Sequence, residues 1–99
     1  VGLNKFIDNH KDKDILIVLH QMGNHGPAYY KRYQERFEKY KPVCKTNQLE
    51  KCTQDEIINA YDNGIVHTDS FLNDVIGFLQ KYQDDKTAMI YMSDHGESL

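Results

Sequence analysis

Two uninterrupted apolar runs, at residues 15–19 in DILIVLH and 88–92 in TAMIYMSD, interrupt an otherwise mixed pattern. Neither alternates with polar positions, so each suits a strand buried on both faces, as in a parallel sheet covered by helices. Between them the apolar positions take up a longer period. Thr53, followed three residues later by Glu56, makes a capping box in which each side chain bonds the other's free backbone N–H, so a long helix is expected to start there. Ile57, Tyr61, Ile65, Leu72, Val75, Leu79 and Tyr82 continue at spacings of three and four, with one gap filled by Thr68. Gly64 and Gly77 each cost about 1 kcal/mol relative to Ala inside a helix, and the first allows a kink near Asn63. Leu3, Phe6 and Ile7 also have helical spacing, with no capping residue before them, so the start reads as truncated. AYYKRYQERFEKYKP places Tyr29, Tyr30, Tyr33, Phe37 and Tyr40 on either an amphipathic face or an ordered surface segment, and the pattern does not choose between them.

Strand, long helix, strand is a βαβ unit of the α/β class. Its crossover is expected to be right-handed and its strands parallel. Parallel strands present their C-terminal ends on one edge of the sheet, where ligands usually bind. QMGNHG and SDHGES should therefore emerge together, making neighbours of His20, His25, Asp94 and His95. Two strands do not make a stable sheet covered on both faces. The expectation is an excised piece of a larger α/β domain, or a chain that needs a partner.

Composition narrows the function. Ninety-nine residues, 39% hydrophobic and 27% charged, fit a single globular domain. The net charge of -3 comes from 15 acidic and 12 basic residues scattered without a basic stripe, which makes nucleic acid a poor partner. Neither apolar run approaches the roughly 20 residues of a membrane span, and no signal peptide lies within the chain. An anchor carried by sequence outside these residues is compatible with that pattern. Cys44 and Cys52 admit two readings. A disulfide closing this short loop would stabilise by about 2.5 kcal/mol and imply an oxidising compartment such as the periplasm; two free thiols this close would tend to oxidise or bind metal.

Asp94 and His95 offer a carboxylate oxygen and an imidazole nitrogen, both good ligands for Zn²⁺. Adjacent strand residues point to opposite faces, so both reach one ion only if the backbone turns after Asp94, which Gly96 makes easy. Two ligands fall short of the three protein ligands of a catalytic zinc site, and a hydrogen-bonded structural pair is the ordinary alternative. His25, between Asn24 and Gly26, suits a ligand, a hydrogen-bond donor to phosphate, or a turn residue. His20, closing a strand, also fits a satisfied core histidine. His10 and His67 receive no role. Ser93 and Ser98 flank the pair, and Glu97 suits a partner that orients a ligating histidine. No serine sits in a GxSxG elbow and no phosphate-cradling glycine loop is present.

LHQMGNHGPAYYKRY, PVCKTNQLEKCTQDEIINAYDN and YMSDHGESL, in this order, closely resemble the periplasmic catalytic domain of the lipid A phosphoethanolamine transferases, the group that includes the mobile colistin-resistance enzymes. SDHG alone would suggest only the broader alkaline phosphatase and sulfatase superfamily. The resemblance covers about residues 14–99. It implies part of a sulfatase/alkaline-phosphatase-like domain, with residues 1–99 a fragment of the catalytic domain of a parent enzyme at the periplasmic face of the Gram-negative inner membrane. That enzyme would be anchored through an N-terminal transmembrane domain absent from this sequence. It would take phosphoethanolamine from phosphatidylethanolamine and pass it to lipid A, lowering polymyxin binding. The resemblance implies that Asp94 and His95 are zinc ligands and that His25 contacts the phosphoethanolamine group or a further zinc. It also implies that Cys44 and Cys52 form a disulfide. The family's threonine nucleophile and glutamate ligand have no matching positions here, nor has its downstream histidine, so this chain alone is expected to be inactive. Two other readings remain: a fragment of a sulfatase-like hydrolase or phosphoglycerol transferase, and a metal-free disulfide-bonded interaction fragment.

Overall fold

In the computed structural model the structure describes residues 2–99. Helix α1 spans Leu3–Asp8 and helix α2 spans Gln54–Gln80, with single 3-10 turns at Tyr29–Lys31, Glu35–Phe37, Leu49–Lys51 and Gln83–Asp85. The shape is elongated, 55 × 24 × 18 Å with a radius of gyration of 17.0 Å, against about 13 Å for a compact chain of this length. A 27-residue helix explains this, since at about 1.5 Å per residue it alone runs some 40 Å.

Helix α2 starts where the capping signal places it. Thr53 Oγ1 accepts a hydrogen bond of 3.2 Å from the Glu56 backbone N–H, and Asp55 and Glu56 in the first turn meet the positive end of the helix dipole. The reciprocal bond of the capping box is not formed among the described residues. The helix runs unbroken through both glycines and ends two residues short of Tyr82. Tyr82 is nonetheless buried, with its hydroxyl 3.4 Å from Asp8 Oδ1 at the end of α1.

The buried face of α2 is not quite the apolar series. Ile57, Ala60, Asn63 and Gly64 are buried, whereas Ile65 is exposed. The reason is what packs on it. The tyrosine-rich segment, whose conformation the pattern left undecided, folds into 3-10 turns that wrap the N-terminal half of α2. Tyr29 (4% exposed), Cys44, Ile57 and Ala60 form a small core, flanked by Val43, Leu49, Cys52 and Tyr61. Tyr29 meets Tyr61 edge-on with ring centroids 5.7 Å apart. Cys44 and Cys52 form a disulfide with Cα atoms 5.7 Å apart, so the free-thiol reading is set aside.

Polar groups complete this wrapping. Asn63 is fully buried at 0% exposure. Its Oδ1 accepts from the backbone N–H groups of Lys39 and Tyr40, both at 2.9 Å, and its Nδ2 donates to Tyr40 O at 2.9 Å. One amide thus stands in for a missing stretch of backbone pairing. Asn59 Nδ2 donates to Pro42 O at 2.8 Å, and Cys44 N–H donates to Glu56 O at 3.0 Å.

The two apolar runs differ from expectation. Among the described residues no segment is paired as a strand, so the parallel pair of the βαβ reading is absent from this arrangement. Runs 15–19 and 88–92 make no backbone hydrogen bonds to each other. Leu16 is 89% and Ile90 87% exposed, while alternate neighbours such as Ile15, Ile17 and Met89 are 36–37% exposed. A ladder needs a partner at both edges of a buried strand, and none of the described residues supplies one. No described helix is long and apolar enough to cross a membrane.

Candidate functional site

The loops that follow the two runs do meet. His25 and His95 stand with ring centroids 5.7 Å apart, nearly perpendicular at 88°. Asp94 and His95 lie on the same side, with Asp94 Oδ1 3.7 Å from His95 Nε2, so the backbone turns after Asp94 as their joint use of one ion requires. His20 does not join them. It is exposed at the end of an unpaired run, and the core-histidine alternative fails because no described core reaches that segment.

Both histidines are oriented by the same device. His25 Nδ1 lies 2.7 Å from Gly26 O, and His95 Nδ1 lies 2.7 Å from Gly96 O. A carbonyl only accepts, so Nδ1 carries the proton in each ring and Nε2 is left with the open lone pair. The Gly96 carbonyl, and after it the Asp94 carboxylate, push the His95 imidazole above its ordinary value.

Glu97 does not orient a histidine ring; it ties the two loops together instead. Its Oε1 accepts from the Gly26 backbone N–H at 3.1 Å and its Oε2 from the Tyr29 hydroxyl at 3.2 Å. The Gly26 N–H is the main reason its carboxyl is held below the ordinary carboxylate value; the Tyr29 hydroxyl and the charges of His25 and His95 add to this against partial desolvation. Tyr29 is pushed up by burial and by the same carboxylate, so a neutral phenol faces an ionised acid. Gly26 is needed for the closeness of this contact. A Cβ there would lie 2.5 Å from Tyr29 Cζ, and that ring is buried and hydrogen-bonded.

The His25 loop is anchored from below. Asn24 Nδ2 donates to Tyr61 O at 3.1 Å, and its Oδ1 accepts from Thr68 Oγ1 at 3.1 Å. Arg32 Nε donates to His25 O at 2.6 Å. His67, given no role by the sequence, stacks on Phe37 with centroids 4.8 Å apart and bonds Arg32 O through Nδ1 at 2.9 Å. It supports the segment that carries Arg32.

Over this geometry, a family model described as Sulfatase matches residues 2–99. The chain belongs to the sulfatase family. A phosphatidylethanolamine transferase of Escherichia coli, Mcr-1, is 53% identical over 100 residues, covering 100% of this chain and 18% of that protein. A phosphoethanolamine transferase of Salmonella typhimurium, EptA, is 46% identical over 99 residues, again 18% of its length. The chain therefore spans about a fifth of the length of these relatives. Among solved structures, the soluble domain of lipooligosaccharide phosphoethanolamine transferase A from Neisseria meningitidis superposes with a TM-score of 0.77 at 39% identity. That match covers 85% of this chain and 25% of the other. The C-terminal periplasmic domain of a phosphoethanolamine transferase from Campylobacter jejuni gives 0.69 at 41% identity, covering 82% and 27%. The coarse fold expectation, a sulfatase-like domain, holds.

The atoms open to a metal in this cluster are the Asp94 carboxylate and Nε2 of His95 and His25. Among the described residues, no three His, Cys, Asp or Glu side chains already converge as a cage. Asn24, Tyr29, Arg32 and Thr68 were not singled out from the sequence as parts of the site. One signal was present: Thr68 fills the one gap in the apolar series of α2, and Gly64 lies four residues before it on the same helix face.

Proposed function

We propose that residues 1–99 are part of the catalytic domain of a zinc-dependent phosphoethanolamine transferase, which moves phosphoethanolamine from phosphatidylethanolamine to lipid A and lowers susceptibility to polymyxins such as colistin. The observation that carries this reading is the meeting of the His25 and Asp94–His95 loops, with both imidazoles in the tautomer that offers Nε2. The activities for which the relatives are named point the same way. The Cys44–Cys52 disulfide suits the periplasm, and on this reading the parent enzyme works at the periplasmic face of the inner membrane, held there by a transmembrane domain outside this sequence.

The donors fit the metal. A carboxylate and a neutral imidazole are ordinary zinc ligands, and hydrogen bonds from each Nδ1–H to a carbonyl are the usual way such imidazoles are held. Asp94 and His95 would hold the ion. Zn²⁺ bound there supplies Lewis-acid chemistry, lowering the pKa of an attacking hydroxyl and offsetting charge on the phosphoryl oxygens. The chain's own residues do the rest. His25 presents Nε2 to the phosphoryl group and, once that nitrogen has taken up a proton, donates it to a phosphoryl oxygen or to the oxygen that leaves. Glu97 keeps the His25 loop against the Asp94–His95 loop so that these groups face one substrate. The threonine nucleophile and the remaining ligands belong to sequence beyond these residues, so the chain alone is inactive. In the whole domain, runs 15–19 and 88–92 are read as parallel strands that deliver the two loops to one edge of the sheet. Their apolar composition and the α2 crossover between them support this.

The test is made on the full-length enzyme with Asp94→Ala and His95→Ala. Zinc content by metal analysis should drop, and phosphoethanolamine transfer to lipid A, followed by mass spectrometry, should fall by more than the roughly 10–100-fold that loss of an outer-shell partner costs. Unchanged zinc content would sink the metal assignment. A wild-type enzyme that hydrolyses sulfate or phosphate esters without transferring phosphoethanolamine would move the reading to a sulfatase-like hydrolase.

A further inference from the structure

We propose that Asn24 is a positioning residue for His25, seated in a notch that Gly64 and Thr68 cut into α2; this rests on reading His25 as the group that meets the phosphoryl oxygens. The Asn24 amide lies flat over Gly64, where a Cβ would sit 3.1 Å from Nδ2 and 3.2 Å from Cγ. The amide has little freedom to yield. Its Nδ2 donates to Tyr61 O and its Oδ1 accepts from Thr68 Oγ1, both at 3.1 Å. The O and N positions are fixed by chemistry, because Tyr61 O only accepts.

Tyr61, Gly64 and Thr68 fall at spacings of three and four, on one face of the helix. Glycine and threonine are both poorer helix formers than alanine or leucine, and the stripe of α2 takes one of each at this place. Both choices serve the same side chain, one by making room and the other by donating a hydrogen bond. Asn24 is the residue immediately before His25. Its amide therefore fixes where the His25 backbone starts, while Arg32 Nε holds the His25 carbonyl at 2.6 Å and Glu97 holds the next N–H at 3.1 Å. The helix sets the position of the imidazole through Asn24, and the other two contacts set its direction. A reacting group misplaced by about 1 Å loses on the order of 100-fold in rate.

Gly64→Ala separates this from a merely structural role. Alanine is the better helix former by about 1 kcal/mol, which offsets the strain its methyl puts on the two Asn24 hydrogen bonds, so the melting temperature of the full-length enzyme should stay close to wild type. At the same time the added methyl lifts Asn24, and kcat for phosphoethanolamine transfer should fall about 10–100-fold with KM changed by less than about twofold. Thr68→Val should lower kcat about 10-fold, and Thr68→Ser, which keeps the hydroxyl, should restore it to within about twofold of wild type. Zinc content should not change in any of the three. A Gly64→Ala enzyme with wild-type kcat overturns the proposal, as does a Thr68→Ser enzyme no better than Thr68→Val. If the wild-type enzyme shows no transfer at all, the functional reading falls by itself. The notch is then judged from crystal structures of wild type and Gly64→Ala, where a displaced His25 ring supports it and an unmoved ring overturns it.

Discussion

The wrapped half of α2 and the two apolar runs face the same requirement, partners for backbone groups, and among the described residues only the first meets it. Around Ile57–Gly64 the irregular chain from 39 to 44 finds its partners on helix side chains, above all on Asn63, and the disulfide closes the loop that follows. Runs 15–19 and 88–92 have apolar side chains but no ladder, and Leu16 and Ile90 stand in solvent. Side-chain amides can satisfy a loop locally, whereas a strand depends on a neighbour of its own kind. The candidate site lies between the two regions. Each of its loops leaves an apolar run, and the His25 loop is then fastened to the wrapped helix.

The largest expected effect breaks the first half of this contrast. Asn63→Ala leaves two N–H groups and one carbonyl without partners in a fully buried place, and should cost about 4 kcal/mol in denaturant unfolding. Leu16→Ala sharpens the second half. In the 99-residue chain it should shift stability by less than about 0.5 kcal/mol, while in the full-length catalytic domain, where the run is read as a buried strand, it should cost about 3 kcal/mol. Equal small effects in both would refute the strand assignment. Reducing the disulfide should remove about 2.5 kcal/mol, read as a lower denaturation midpoint with dithiothreitol present, and it should loosen the wrapped half while leaving the runs as they are.

The smallest effect concerns the tie between the loops. Glu97 is held below the ordinary carboxylate value, so its contribution is fully present above the unfolded value and is lost as pH falls through the lower folded one. Carboxyl NMR titration should show a depressed midpoint, and Tyr29→Phe, which removes one of its two donors, should move that midpoint upward. An unmoved midpoint would mean that the Tyr29 hydroxyl does not share in the tie.

The sequence announced what depends on local chemistry. Thr53 and Glu56 marked the start of α2, and Gly96 allowed the turn that brings Asp94 and His95 together; His25 meets His95 as expected, although the described residues do not show the paired strands from which that was argued. What it concealed depends on partners distant along the chain. Asn63 entered the sequence reading only as the place of an allowed kink, and the loop at Lys39 and Tyr40 shows why an amide belongs there. Gly64 read as a cost to the helix until Asn24 was seen lying on it. Glu97 was expected to face a histidine ring, but each ring is already satisfied by the carbonyl of the glycine that follows it. The apolar runs were legible as burial-seeking but not as paired, since composition carries no information about who the neighbour is.

The bond from Gly26 to Glu97 joins residues 71 apart in the sequence. Closing a loop of that length carries an entropic cost that nearby contacts within α2 and the Cys44–Cys52 loop do not meet. Contacts of this separation tend to form late, after local helix and turns are in place. Substitutions at Glu97 should therefore hasten unfolding while leaving the rate of folding almost untouched. Chemistry can then be altered at the tie without endangering the order in which the rest of the chain assembles.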